Sequence, residues 1–214
     1  AKVHTLKENI RDAIEVLKSE NYTYVVDLHK NTRSRIIIRQ LGITSVAYKK
    51  LNIRKWLFVN LKINLLPKKH LVDRYFDSLD KLGIKNDGKG LDFFLDIDSH
   101  NLPIKLPKEP FIALVIGGTY STKQPKLQTL LALINKLKRP LILVGGGDQD
   151  ASKAAELVDN TASNQVLNTV NKLSISQSAF VIYKAQEVIT GDTGMMHIAA
   201  AFNKPMQVLW GNTH

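Results

Sequence analysis

The stretch Glu187-Val188-Ile189-Thr190-Gly191-Asp192-Thr193-Gly194-Met195-Met196-His197-Ile198-Ala199-Ala200-Ala201-Phe202 decides the fold. Its first four residues form a short apolar run suited to a buried parallel strand. Gly191 to Gly194 is a tight turn, and either Asp192 or Thr193 can cap the helix that follows. In that helix Met195, Ile198, Ala199 and Phe202 fall at i, i+3, i+4 and i+7, one apolar stripe. The helix stops at Asn203-Lys204-Pro205, and Met206 to Trp210 reads as the next strand. The unit is strand, glycine turn, helix, strand. A helix that opens from such a turn presents free N–H groups and a positive dipole end, which suits a phosphate.

The same alternation runs through the chain on both sides. Upstream, strands are expected at Phe111–Ile116 and Leu141–Val144, with helices at 126–137, 151–157 and 174–184. Ser174 followed by Gln177 forms a capping box at the start of the last of these. Residues 96–110 carry Pro103, Pro107 and Pro110 and read as a linker. Ahead of it, helices are expected at 6–17, at 31–41 with Asn31 as cap and Gly42 as stop, around 56–61, and at 71–82. Strands are expected at Tyr24–Leu28 and Ser45–Tyr48. Strands alternating with helices imply parallel sheets with right-handed crossovers. The expected division is an N-terminal Rossmann-like domain over 1–102 and a C-terminal one over 103–214.

Composition narrows the class. Of 214 residues, 44% are hydrophobic and 23% charged, the balance of an ordinary globular protein. There is no cysteine, which excludes disulfides and thiolate metal sites. No apolar run reaches the ~20 residues of a membrane span. The net charge of +11 is concentrated. Lys30, Arg33, Arg35, Arg39, Lys49, Lys50, Arg54, Lys55, Lys62, Lys68 and Lys69 fall between Lys30 and Val72 with no acid among them, so the rest of the chain is electrically balanced. Such a segment draws in anionic partners: phosphorylated glycolipid, an acidic leaflet or nucleic acid. Nucleic acid is disfavoured because the segment lacks aromatics spaced for base stacking.

The terminal motif also carries a resemblance. Asp192-Thr193-Gly194, His197, Ala199-Ala200-Ala201, Lys204-Pro205 and Trp210-Gly211-Asn212-Thr213 resemble the signature of the ADP-heptose:lipopolysaccharide heptosyltransferases, glycosyltransferase family nine. Val26-Asp27-Leu28-His29-Lys30-Asn31-Thr32-Arg33-Ser34 is similar to the family's strand-to-helix segment on the acceptor side. Gly117-Gly118-Thr119-Tyr120-Ser121-Thr122-Lys123 is similar to its small-residue loop, and Val144-Gly145-Gly146-Gly147-Asp148 to its glycine turn. The resemblance implies a GT-B fold, two Rossmann-like parallel-sheet domains facing across a cleft. It implies transfer of a heptose from an ADP-sugar to a lipopolysaccharide core or similar anionic glycolipid, without metal or cofactor. It further implies a monomer in the bacterial cytoplasm, peripheral to the inner face of the inner membrane. The family pattern starts with a further strand and an acidic turn and continues past the Gly-x-Thr motif, so a trimmed chain is expected here.

Sugar transfer needs the leaving diphosphate neutralised, a base for the acceptor hydroxyl, and both reactants oriented. Lys123 is a point charge suited to phosphate, and Thr119 and Thr122 are hydroxyl donors in the same glycine-rich loop. Thr193 and the N–H groups around Gly194 suit the other phosphate face. Asp192 is suited to a sugar hydroxyl or to ordering the turn. His197 either donates to a phosphate or sugar oxygen or is a satisfied core histidine. With Asp148, these make up the expected donor side; Asp27, His29, Arg33 and Arg35 make up the acceptor side. No residue is assigned as catalytic base. Asp148-Gln149-Asp150 and Asp96-Ile97-Asp98 match the D-x-D pattern that holds a divalent ion in another transferase fold, but the first suits turn formation and capping better. No metal site is expected. The competing reading is a non-catalytic basic module for anionic glycan, lipid or nucleic acid.

Overall fold

A computed structural model describes residues 2–5, 9–118, 124–137, 139–161 and 165–210. The chain divides into two compact units, Ala1–Lys89 and Gly90–His214.

The first unit begins with α1 (Ile10–Ser19), capped by Asn9, whose side chain accepts from the Arg11 N–H. Strand β1 (Tyr24–Asp27) leads into α2 (Thr32–Leu41) and on to β2 (Thr44–Ala47), which lies parallel to β1 with Tyr24 opposite Thr44. Asn31 and Ser34 close a capping box at the head of α2, and Gly42 ends it with φ +66°, a left-handed position that glycine adopts without strain. Helices α3 (Asn52–Leu61) and α4 (Leu71–Phe76) follow. A single helix was expected over 71–82; instead α4 tightens into a 3-10 segment, Asp77–Leu82. The Ser78 hydroxyl donates to the Tyr75 carbonyl at 2.6 Å, a side chain competing for an acceptor that a continuing α-helix would use.

The second unit is a five-stranded, fully parallel sheet in the order β5-β4-β3-β6-β7. Its strands are β3 (Ile112–Val115), β4 (Leu141–Val144), β5 (Val166–Asn168), β6 (Glu187–Gly191) and β7 (Met206–Leu209). The connecting helices are α5 (Leu127–Lys136), α6 (Asp148–Asp159), α7 (Ile175–Lys184) and α8 (Gly194–Ala201). Successive side chains of a strand point to opposite faces, and the core sorts accordingly. Ile112 and Leu114 of β3 and Leu141 and Leu143 of β4 pack with Leu130, Ile134, Ala154 and Leu157 of α5 and α6. Ala113, Val115, Ile142 and Val144 pack with Val181 and Ile182 of α7 and Ala199 of α8 on the other face.

The proline-bearing segment does not lie at the division between units. Residues from Gly90 onward belong to the second unit, so the division falls ahead of the expected 102/103. Side-chain contacts explain why. Phe93 meets Phe202 edge to face at 5.6 Å, Ser176 donates to Asp96 at 2.7 Å, and Gln177 donates to the Asn101 carbonyl at 2.6 Å. Leu102 and Leu106 pack on the same core face as α7.

Candidate functional site

In the second unit the strand order reverses between β3 and β6, which are direct neighbours with Ile112 opposite Glu187. In open α/β sheets, ligands bind beyond the carboxyl ends of the strands at such a switch point. Two of the sequence-predicted turns emerge there: Gly117-Gly118 after β3 and Asp192-Thr193-Gly194 after β6. They are close. A Cβ on Gly118 would lie 3.8 Å from the Thr193 methyl.

Of the two candidates for the α8 cap, Thr193 takes the position. Its hydroxyl accepts from the Met196 N–H at 3.3 Å and lies 3.2 Å from the Thr190 hydroxyl. The first turn of α8 holds no acidic residue. Gly194 is exposed and Asp192 is half-buried. His197 is exposed, one turn into the helix, so it is not a core histidine. Thr119, Thr122 and Lys123 lie outside the described residues.

The turn after β4 is built differently. Gly147 is the N-cap of α6 with φ +96°, and the first turn of that helix carries Asp148 and Asp150. Asp148 is exposed, whereas Asp150 is buried and accepts from the Gly146 N–H at 3.0 Å. The Gly147 N–H donates to the Asn171 side chain at 2.7 Å. The first turn of α6 thus carries two acids and no side-chain cap, whereas the first turn of α8 carries none and is capped by Thr193. The Asp150 carboxylate also lies against both glycine turns: a Cβ on Gly117 would collide with its Oδ2, and one on Gly145 would come within 2.9 Å of it.

Three residues of this region were missed from sequence: Asp150 as a wedge, Gln124 and Lys153. Gln124 donates to the Gly118 carbonyl at 2.7 Å and accepts from Lys153 at 2.7 Å. Asp150 and Lys153 are three apart on α6 and so share a face. That spacing beside a glycine turn was the available signal, but the resemblance of the Val144–Asp148 turn singled out Asp148, and Asp150 was weighed only as part of a D-x-D pattern.

The acceptor-side residues lie in the first unit. Asp27, at the end of β1, is buried and saturated by its own turn. Its oxygens accept from the His29 N–H at 3.0 Å, the Lys30 N–H at 2.6 Å and the Ser34 hydroxyl at 2.7 Å. Burial alone would raise the carboxyl's pKa; the bonds from Lys30, Ser34 and His29, with the His29 charge, outweigh it and hold the group below the usual carboxylate range. His29, Arg33 and Arg35 are exposed. Two positions apart on α2, the arginines leave the helix about 200° from one another, so α2 does not bring them together on one face.

Among the described residues no three His, Cys, Asp or Glu side chains gather as a metal site, and no helix is long and apolar enough to cross a membrane.

A parallel sheet with glycine turns at its switch point and a smaller parallel unit in the same chain define an α/β protein of the GT-B type, with two Rossmann-like units. Residues 10–214 match the family model glycosyltransferase family 9 (heptosyltransferase), and the chain belongs to that family. It is 25% identical to lipopolysaccharide heptosyltransferase 1 of Campylobacter coli, over 96% of this chain and 66% of that protein. The E. coli heptosyltransferase WaaC with ADP-2-deoxy-2-fluoro heptose superposes with a TM-score of 0.68 at 22% identity, covering 96% of this chain and 66% of that one. A glycosyl transferase family 9 protein from Veillonella parvula gives 0.73 at 16% identity, over 99% and 65%. The chain thus spans about two thirds of the length of these relatives.

Proposed function

We propose that this protein transfers a heptose, or a closely related sugar, from an ADP-linked donor to a lipopolysaccharide core or similar anionic glycolipid. The observation that carries the reading is the juxtaposition of two glycine turns at the switch point of the second unit, one opening the acid-free N-terminus of α8. Two of these relatives are named heptosyltransferases, one of them in complex with ADP-2-deoxy-2-fluoro heptose.

In this reading the acceptor hydroxyl gives its proton to a general base as its oxygen attacks the anomeric carbon, the bond from that carbon to the diphosphate oxygen breaks, and ADP leaves with the electron pair. The α8 N–H groups near Gly194 and the Thr193 hydroxyl hold the charge that develops on the diphosphate, which replaces a metal ion in this role. Lys123, Thr119 and Thr122 belong to the same diphosphate site by the family resemblance, with Asp148 at its margin. Asp192 accepts from a sugar hydroxyl, and His197 donates to a phosphate or sugar oxygen. Asp27 is not the base that takes the acceptor proton, because both its oxygens are engaged within its own turn. Its part is to shape the turn that carries His29 and starts α2, whose Arg33 and Arg35 belong to the acceptor side by the family resemblance. The protein acts as a monomer on the cytoplasmic side of the membrane in this reading.

Calorimetry with ADP, UDP and GDP tests the donor site. ADP is expected to bind measurably tighter than the other two; equal binding of all three, or none, sinks the assignment.

A further inference from the structure

We propose that α3 and residues 62–66 after it form the surface by which this protein docks on an anionic lipid membrane. This deepens the reading above, resting on it only for the idea that the acceptor is lipid-linked.

Helix α3 buries none of its residues. Ile53, Trp56 and Val59 recur at threes along it and are 76%, 58% and 54% exposed. Leu61, the last residue of α3, and Ile63 and Leu65 after it are exposed as well. Large apolar side chains gathered in this way mark an interaction surface.

Charge selects the partner. Lys50, Lys55, Lys62 and Lys68 are exposed along the same stretch, which contains no acid. Beside it opens a cavity of about 550 Å³ lined by Lys49, Arg54, Lys69, Arg74 and Lys81 against one carboxylate, Asp77. Asp77 is engaged by Lys69. Arg74 is fixed in place, its guanidinium 5.0 Å over the Tyr48 ring and donating to the Lys49 carbonyl at 3.2 Å. A protein surface laid over this edge would have to desolvate these cations and supply acids for them. A second copy of the edge brings only more cations. An anionic leaflet provides both halves at once: an acyl boundary for Ile53, Trp56 and Val59, and phosphates for the lysines and arginines. Trp56 is the side chain whose amphipathic ring suits the headgroup level.

The test uses the full chain carrying Trp210→Phe, which leaves Trp56 as its one tryptophan. It is mixed with vesicles of phosphatidylcholine alone, or of phosphatidylcholine and phosphatidylglycerol in equal parts. The expected result is co-sedimentation with the anionic vesicles only, weakened by salt, with Trp56 emission shifted to the blue and quenched by brominated lipid. Ile53→Ser with Val59→Ser should cost at least about tenfold in vesicle affinity, from the lost apolar burial. Lys55→Gln should cost less, about fivefold, and reduce the salt dependence. Both variants touch only exposed side chains, and an unchanged melting temperature shows that they fold. Failure to bind anionic vesicles, equal binding to neutral ones, or an unquenched Trp56 overturns the proposal. So does a concentration-dependent dimer in sedimentation velocity that shields Trp56. ADP calorimetry on the unsubstituted chain separates the two readings: vesicle binding without ADP binding removes the donor assignment and leaves the docking surface standing.

Discussion

At the scale of single residues, Asp27 shows how a conspicuous acid at a strand end can be a structural part. Three donors converge on its carboxylate, and one of them, the Ser34 hydroxyl, also accepts from the Asn31 N–H. The turn between β1 and α2 is thus locked to the capping box of the helix it starts. Asp27→Asn puts an amide N–H₂ where one oxygen accepts and removes the charge, so a loss of about 1–3 kcal/mol is expected in chemical denaturation, with ADP binding unchanged. The pH dependence follows from the lowered native pKa. The stabilisation is complete above the unfolded carboxylate value of about 3.9 and is lost as pH falls through the lower native value. In the Asn variant that part of the acid-side loss should be missing. From sequence, Asp27 could be seen at a strand end but not its saturation, because two of its three donors are backbone groups whose direction depends on the turn. His197 illustrates the same limit. Its place one turn into a helix was legible, while its exposure depended on which face the sheet covers.

At the scale of elements, the glycine turns and the helix that fits between them form one joint. Asp150 fills the space that β-carbons on Gly117 and Gly145 would take, and it satisfies the Gly146 N–H while doing so. Gly117→Ala is therefore expected to destabilise the protein by about 1–3 kcal/mol through overpacking. The same change on an Asp150→Ala background should cost less, with a coupling of at least about 0.5 kcal/mol in a double-mutant cycle. Additive effects would mean that the carboxylate and the turn do not share this space. The elements themselves were largely readable. β3 and β4 stood out as apolar runs because both faces of a central parallel strand are buried, and α7 was announced by its Ser174–Gln177 box. β5 was not seen: three half-buried residues at the sheet edge carry neither an apolar run nor an alternation.

At the scale of the molecule, two parallel-sheet units followed from the alternation of elements, but their boundary did not. Three prolines drew the expected division to 102/103, whereas the division follows the contacts of Phe93, Asp96 and Asn101 with α7 and α8. Such contacts are invisible to composition. A fragment spanning 90–214 should melt cooperatively, because it keeps these contacts. A fragment spanning 103–214 should melt lower, since it uncovers Phe202 and Phe180, which Phe93 and His100 face. Equal melting temperatures would return the boundary to the prolines.

The pairing of β3 with β6 also has a consequence in time. β3 is the middle strand of its sheet and wholly buried, yet one of its two neighbours is drawn from far along the chain, Ile112 pairing with Glu187. During synthesis at about 5–20 residues per second, this strand waits several seconds with one edge open before its partner leaves the ribosome. In that interval Ile112 to Val115 is a run of apolar side chains beside unpaired N–H and C=O groups, a template for any passing strand. The arrangement that sets two glycine turns side by side therefore leaves one edge of the central strand without its partner until residue 191 has emerged.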